Sequence, residues 1–120
     1  YKKLLDKAGI LPLGTDFPVE EVNPLLTFYA AVSRQDKSGY PEDGFQPENA
    51  ISRKEALTGM TRSAAYANFE EEVKGSLEVG KYADFVVFDQ DLMQMPMKEI
   101  PELKVNATYL NGKRVYSGKE

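Results

Sequence analysis

A single acidic residue behind a short apolar run is the first candidate for chemistry in this 120-residue sequence. Residues 10–13 form the run, and Gly14, Thr15 and Asp16 follow it directly. A carboxylate at the end of a buried strand can accept and return protons or contact a metal ion. Aspartate is also common in turns, where it accepts hydrogen bonds from the backbone. On spacing alone, Asp16 is therefore either a catalytic group or a loop cap.

The composition excludes several other kinds of site. The sequence contains no histidine and no cysteine, so it cannot by itself assemble an ordinary catalytic zinc site or supply a cysteine nucleophile. The net charge is -4, and no lysine and arginine run could follow a phosphate backbone, so no nucleic-acid partner is expected. No apolar run approaches the roughly 20 residues that span a bilayer, so no membrane partner is expected. The lack of cysteine favours a reducing compartment, and we expect a cytoplasmic protein.

Three polar residues at the start of a long loop form the second candidate site. Arg34, Gln35 and Asp36 follow a predicted helix, and residues 35–49 are rich in Gly, Pro, Asp and Ser. A loop of that length often has a functional role, so the three side chains could line a substrate entrance. The alternative is an ordinary helix C-terminus followed by a polar loop.

Helical spacing and short apolar runs predict the elements that position these candidates. Residues 1–8 have helical apolar spacing, and Gly9 is a typical residue to end such a helix. Residues 10–13 are predicted to form a short buried strand. Asn23, followed by proline, predicts the start of a helix over residues 24–34.

A capping-box pattern predicts a further helix in the middle of the chain. Ser52 can accept from the amide of Glu55, whose carboxylate can reach back to the Ser52 amide. Gly59 and Thr61 are expected to break this helix. A second short helix is then predicted to continue to Phe69.

The last third of the chain has the pattern of β-structure. Residues 85–88 form a continuous apolar run, which predicts a well-buried strand. Residues 105–110 and 113–117 flank Asn111 and Gly112, which together predict a β-hairpin with a two-residue type I′ turn. The helices and strands together indicate an α/β protein.

Two stretches of the sequence carry a family resemblance. Residues 13–19 (LGTDFPV) resemble the end of the eighth barrel strand in the amidohydrolase superfamily, and residues 75–89 (GSLEVGKYADFVVFD) resemble the signature of its C-terminal β-sandwich. Residues 23–25, 34–36 and 52–66 narrow the resemblance from the superfamily to one family within it. Together the segments are similar to the amidohydrolase 3 family, whose members include proteins like N-substituted formamide deformylase and exoenzyme regulatory proteins.

The resemblance implies a fold and a domain division. We expect a C-terminal fragment of a larger protein with a (β/α)8 barrel and a composite β-sandwich. Residues 1–72 would supply the last barrel strand, the long loop and helices, and residues 73–120 the C-terminal part of the sandwich. The start at Tyr1, within a helical pattern, agrees with an excised piece.

The resemblance also implies an activity for the parent protein. We expect a metal-dependent hydrolase that cleaves a non-peptide C–N bond in a small-molecule substrate, with a divalent metal, expected to be zinc. Asp16 would act as proton shuttle and metal contact, while the histidine ligands would lie upstream. Arg34, Gln35 and Asp36 remain candidates for the substrate loop. The isolated chain is expected to be inactive and to bind no metal by itself.

A stand-alone module that binds a partner without chemistry is the alternative. The lack of histidine favours it, because histidine is the usual side chain for proton transfer near neutral pH. The predicted hairpin could present a sheet edge to such a partner. If the chain is a barrel fragment, one barrel strand with its helices would leave apolar surface uncovered, so we expect the isolated fragment to self-associate.

Overall fold

Helices precede a three-stranded antiparallel sheet in the computed structural model, which describes residues 1–118. The helices are α1 (Lys2–Ala8), α2 (Pro24–Ser33), α3 (Arg53–Thr58) and α4 (Ala64–Ala67), and the strands are β1 (Phe85–Phe88), β2 (Val105–Leu110) and β3 (Lys113–Ser117). Shorter elements are the 3-10 turns Pro47–Asn49 and Met97–Glu102 and the π-helical turn Gly59–Ser63. In the sheet, β2 pairs with both β1 and β3. The general α/β class predicted from the sequence is confirmed.

The ends of α1 and α2 lie close to where the capping residues predict them. Gly9 ends α1 with a φ of 72°, a conformation that glycine adopts without a steric penalty. The Asn23 side chain accepts a hydrogen bond from the Leu25 amide at 3.0 Å and so begins α2. Arg34 ends α2 in a left-handed conformation, with φ 59°, and its amide donates to the Ala30 carbonyl at 3.0 Å.

The third helix begins as predicted but is not broken. Ser52 and Glu55 form the complete capping box. Gly59 keeps a right-handed helical conformation, and the chain continues through the π-helical turn into α4. The predicted break is wrong because a π-turn accommodates the extra residue without ending the helix. The predicted extension to Phe69 is also wrong, since α4 ends at Ala67 and Phe69 has a φ of 60°.

The predicted strand over residues 10–13 is absent from the described chain. The segment forms one backbone hydrogen bond to the helix, from the Leu13 amide to the Gly59 carbonyl at 3.0 Å. A strand needs a partner with a row of free backbone groups, and a helix cannot provide one. The packing is nevertheless close, because a Cβ on Gly59 would lie 2.8 Å from the Leu11 carbonyl oxygen. Gly59 is therefore required for this contact.

The hairpin is confirmed, whereas the predicted burial of β1 is wrong. Asn111 and Gly112 have φ values of 49° and 75°, as a type I′ turn requires, and Leu110 pairs with Lys113. The Val86 and Val87 side chains are 45% and 41% exposed, although they lie in a continuous apolar run. Both residues therefore remain exposed within the described chain.

The hydrophobic core joins the helices to the segment between β1 and β2. Phe28, on α2, is 1% exposed, and Ile100, in the 3-10 turn, is fully buried. Their neighbours in the core are Leu11, Leu25, Tyr29, Ala31, Ile51, Ala56, Leu92, Met95 and Leu103. The guanidinium of Arg53 reinforces this joint, because it donates to the carbonyls of Leu92 and Met95 at 2.7 and 2.6 Å. The long loop and the Asp16 segment are thereby attached to a packed scaffold.

Candidate functional site

Asp16 lies in a tight exposed turn after the extended segment. The Thr15 hydroxyl accepts a hydrogen bond from the Phe17 amide at 3.3 Å, and the Asp16 carbonyl accepts one from the Val19 amide at 2.8 Å. The φ of Asp16 is 53°, a region that residues with a Cβ rarely occupy. The hydrogen bonds of the turn involve the Asp16 backbone and the Thr15 side chain. Within the described chain, the exposed Asp16 carboxylate makes no hydrogen bond. The carboxylate is free to contact a metal ion or a substrate.

The described residues do not assemble a metal site. Residues 1–118 contain no group of three His, Cys, Asp or Glu side chains close enough to hold an ion. A hard divalent cation accepts carboxylate oxygens as ligands, so Asp16 fits as one ligand of such an ion. Further protein ligands would have to come from outside residues 1–118.

A cleft of about 550 Å³ lies beside the Asp16 turn. One wall is formed by Gly14 and Thr15, immediately before Asp16, and another by Tyr29 and its neighbours on α2. Arg34, Gln35 and Asp36 all line the same cleft, together with Tyr1, Glu20, Glu21, Lys37 and Phe45. The structure therefore brings the loop candidates together with the two residues that precede the catalytic candidate.

Gln35 is engaged in holding the long loop. The Tyr29 hydroxyl donates to its side-chain oxygen at 3.0 Å. Its side-chain nitrogen donates to the carbonyls of Pro41 and Glu42 at 3.0 and 2.7 Å. With both ends of the amide occupied, Gln35 fixes the loop against α2 and has little capacity left for a ligand.

Asp36 is engaged in the same loop. One carboxylate oxygen accepts hydrogen bonds from the Ser38 hydroxyl at 2.6 Å, the Ser38 amide at 2.8 Å and the Tyr40 amide at 3.2 Å. The Ser38 hydroxyl, followed by the Tyr40 and Ser38 amides, lowers the pKa of Asp36 below its ordinary value. This pattern is typical of a loop-closing aspartate.

Arg34 is the loop candidate with free capacity. Its Nε donates to the Phe45 carbonyl at 3.1 Å, and its guanidinium carbon lies 4.7 Å from the centre of the Tyr1 ring. The two terminal nitrogens make no hydrogen bond within residues 1–118. Arg34 therefore combines a fixed side chain with two available donors.

A second cleft was not anticipated from the sequence. It measures about 460 Å³ and is lined by residues including Arg62, Lys81 and Glu78. Among the described residues, the Glu71 Oε2 and Ser76 Oγ atoms beside it are buried and have no hydrogen-bond partner. Leaving such atoms unpaired costs roughly 1–3 kcal/mol each, so a further group is expected to satisfy them. The sequence did not single them out, because Glu71 lies in an acidic run and Ser76 lies in residues 75–89, which were interpreted only as a signature of the β-sandwich.

The sequence comparison identifies the family of this chain. The model of the amidohydrolase family matches residues 1–116. The chain belongs to the amidohydrolase family, as the two motifs had indicated.

Several curated proteins are similar to this chain. Protein LONG AFTER FAR-RED 3 of Arabidopsis thaliana is 36% identical over 97% of the chain, which corresponds to 19% of that protein. N-substituted formamide deformylase of Arthrobacter pascens is 32% identical over 92% of the chain and 20% of its own length. The putative amidohydrolase YtcJ of Bacillus subtilis (strain 168) is 30% identical over 97% of the chain and 22% of its own length. The chain thus spans about a fifth of the relatives it matches.

Two further comparisons bear on this chain. No solved structure gives a significant match. Within residues 1–118, every helix is too short or too polar to cross a bilayer.

Proposed function

We propose that this chain is the C-terminal part of a longer metal-dependent hydrolase that cleaves a non-peptide C–N bond. The observation that carries the proposal is the family match over residues 1–116 combined with the exposed Asp16 carboxylate in a left-handed turn. Non-glycine residues in left-handed conformations are found at functional sites more often than elsewhere, and aspartate tolerates this conformation better than most residues. The described residues contain no group of three candidate metal ligands, so we assign the activity to the longer protein.

Asp16 is proposed to move the proton in this reaction. A bound divalent cation, expected to be zinc, would supply Lewis acidity and an activated water when present. The Asp16 carboxylate accepts a proton from the attacking water and returns it to the leaving nitrogen as the C–N bond breaks. General acid–base catalysis of this kind contributes about 10²–10⁴-fold to the rate.

The uncovered surface of the chain supports its assignment to a larger protein. Phe69 is 93% exposed, and Val79 projects fully into solvent. The unpaired Glu71 and Ser76 oxygens call for a further group to satisfy them, which a neighbouring part of a larger protein would supply. The missing partner strand for residues 10–13 has the same explanation, since neighbouring barrel strands would provide it.

The substrate class follows from one relative. The deformylase is named for N-substituted formamides, and we propose the same class for the protein that contains this chain. A formamide has a C–N bond outside a peptide, and its hydrolysis releases formate and an amine. The cleft beside Arg34, Gln35 and Asp36 would receive the N-substituent.

The test is an Asp16→Asn substitution in the full-length protein. We expect kcat for formate release from N-substituted formamides to fall by about 10²–10⁴-fold, because the amide cannot accept the proton. Metal content should be measured in parallel, since loss of the metal contact would lower it. Asp43→Asn is the matched control, because Asp43 is an exposed loop residue that makes no side-chain hydrogen bond within the described chain. Equal rates for Asp16→Asn and the unmodified protein would exclude the proton-transfer role.

A further inference from the structure

Arg34 is held on three sides. Its backbone amide donates to the Ala30 carbonyl at 3.0 Å, and its own carbonyl accepts from the Phe45 amide at 2.7 Å. The Nε atom donates back to the Phe45 carbonyl at 3.1 Å, and the guanidinium lies over the Tyr1 ring. A long side chain fixed in this way has already lost most of its conformational freedom, so a ligand does not have to order it. The two terminal nitrogens are thereby presented as a rigid pair of donors.

The charges in the cleft single out Arg34. Lys37, the neighbouring cation in the cleft lining, forms an ion pair with Glu21. Asp36 is occupied by the loop amides. Within residues 1–118, Arg34 has no carboxylate within ion-pair distance, and Glu20 is likewise unpaired. The cleft therefore contains one fixed guanidinium whose charge is not neutralised by a bound carboxylate.

We propose that Arg34 determines specificity by binding a carboxylate of a small ligand through its two terminal nitrogens. A planar guanidinium matches the two oxygens of a carboxylate, whereas a neutral amide offers one acceptor and a competing donor. Because Gly14 and Thr15 line the same cleft, a ligand held by Arg34 extends toward the Asp16 turn. This proposal deepens the proposed function in one respect: the substrates would carry a carboxylate in addition to the C–N bond.

The experiment compares benzoate with benzamide, which have the same ring and nearly the same shape but differ in charge. A cleft of about 550 Å³ is large enough for either. The 120-residue chain is titrated with each compound, and binding is followed by NMR of the backbone amides and the Arg34 side-chain N–H. We expect benzoate to bind at least about tenfold more tightly than benzamide, with shifts at Arg34, Phe45 and Thr15.

Substitutions locate the effect. Arg34→Gln should reduce benzoate binding to the level of benzamide. Arg62→Gln is the matched control, because Arg62 lies outside this cleft, pairs with Glu78 and should leave benzoate binding unchanged. Glu20→Gln removes a negative charge from the cleft lining and should tighten benzoate binding severalfold.

Several results would overturn the proposal. Equal binding of benzoate and benzamide by the unmodified chain would do so regardless of how any variant folds. An equal loss in Arg62→Gln would show that binding reflects net charge alone. The titration needs neither metal nor turnover, so a negative result would not argue against the role of Asp16 in proton transfer. Likewise, a lack of activity toward formamides would not argue against carboxylate binding by Arg34.

Discussion

The helices and the sheet of this chain are stabilised in different ways. Phe28, Tyr29 and Ala56 are buried in a shared core, whereas no residue of β1, β2 or β3 in the described chain is fully buried. The sheet depends on paired backbones, the tight Asn111-Gly112 turn and contacts such as the stacked Phe85 and Tyr109 rings, 4.5 Å apart. The helical part therefore has its own hydrophobic core, whereas the sheet leaves apolar side chains exposed that another element could cover.

The largest effect should come from removing the centre of the helical core. Phe28→Ala deletes a ring that is 1% exposed and should lower the free energy of unfolding by about 3–5 kcal/mol. Val86→Ala, in the sheet, should lower it by less than about 1 kcal/mol, because this side chain is already half in solvent. Urea denaturation followed by circular dichroism measures both. Similar losses for the two variants would remove the distinction between the regions.

A smaller effect is expected where α1 meets α3. The Ser52 amide, followed by the Lys2 ammonium and the Ser52 hydroxyl, lowers the pKa of Glu55 from 4.5 to about 2. Because the folded pKa lies below the unfolded one, the ionised carboxylate stabilises the fold above about pH 4.5, and this contribution is lost as the pH falls toward 2. Glu55→Gln keeps an acceptor for the Ser52 amide but removes the carboxylate charge, so it should cost at most about 1 kcal/mol at neutral pH.

The pH dependence separates this cap from a general packing defect. Denaturation midpoints of the unmodified chain and Glu55→Gln should converge as the pH is lowered from about 7 to about 2. Glu72→Gln serves as the control, because Glu72 is exposed and makes no hydrogen bond within residues 1–118. A difference that persisted unchanged at the acid end would mean that the carboxylate charge is not what Glu55 contributes.

The elements that the sequence predicts well are those specified by neighbouring residues. Asn23, the Ser52 and Glu55 capping box and the Asn111-Gly112 turn each satisfy backbone groups within a few residues, so their geometry does not depend on distant contacts. The predictions that failed concern contacts between residues that are distant in the sequence. Residues 10–13 need a partner strand, and the burial of β1 needs a covering layer, and neither requirement can be read from an apolar run alone.

In the candidate site, too, the sequence predicts some features and misses others. The residue types and the family motif indicated Asp16, but its left-handed turn depends on local bonds that the pattern does not encode. The sequence could not distinguish Arg34 from Gln35 and Asp36, because their difference lies in the loop contacts that occupy the latter two. The structure makes that distinction by showing which donors and acceptors are already used.

The smallest change in stability, and the most direct probe of the uncovered sheet, is expected from Val86→Lys. We propose that the isolated chain self-associates through the face of the sheet that carries Val86, which is 45% exposed. A lysine at position 86 places a charge on that surface and should lower the apparent mass in light scattering, while the unfolding free energy changes by less than about 1 kcal/mol. Gln94→Lys adds the same charge at an exposed position outside the sheet and should leave association unchanged. If the unmodified chain is a monomer at high concentration, or if both lysine variants reduce association equally, the sheet is not the associating surface, and net charge or another face governs the behaviour.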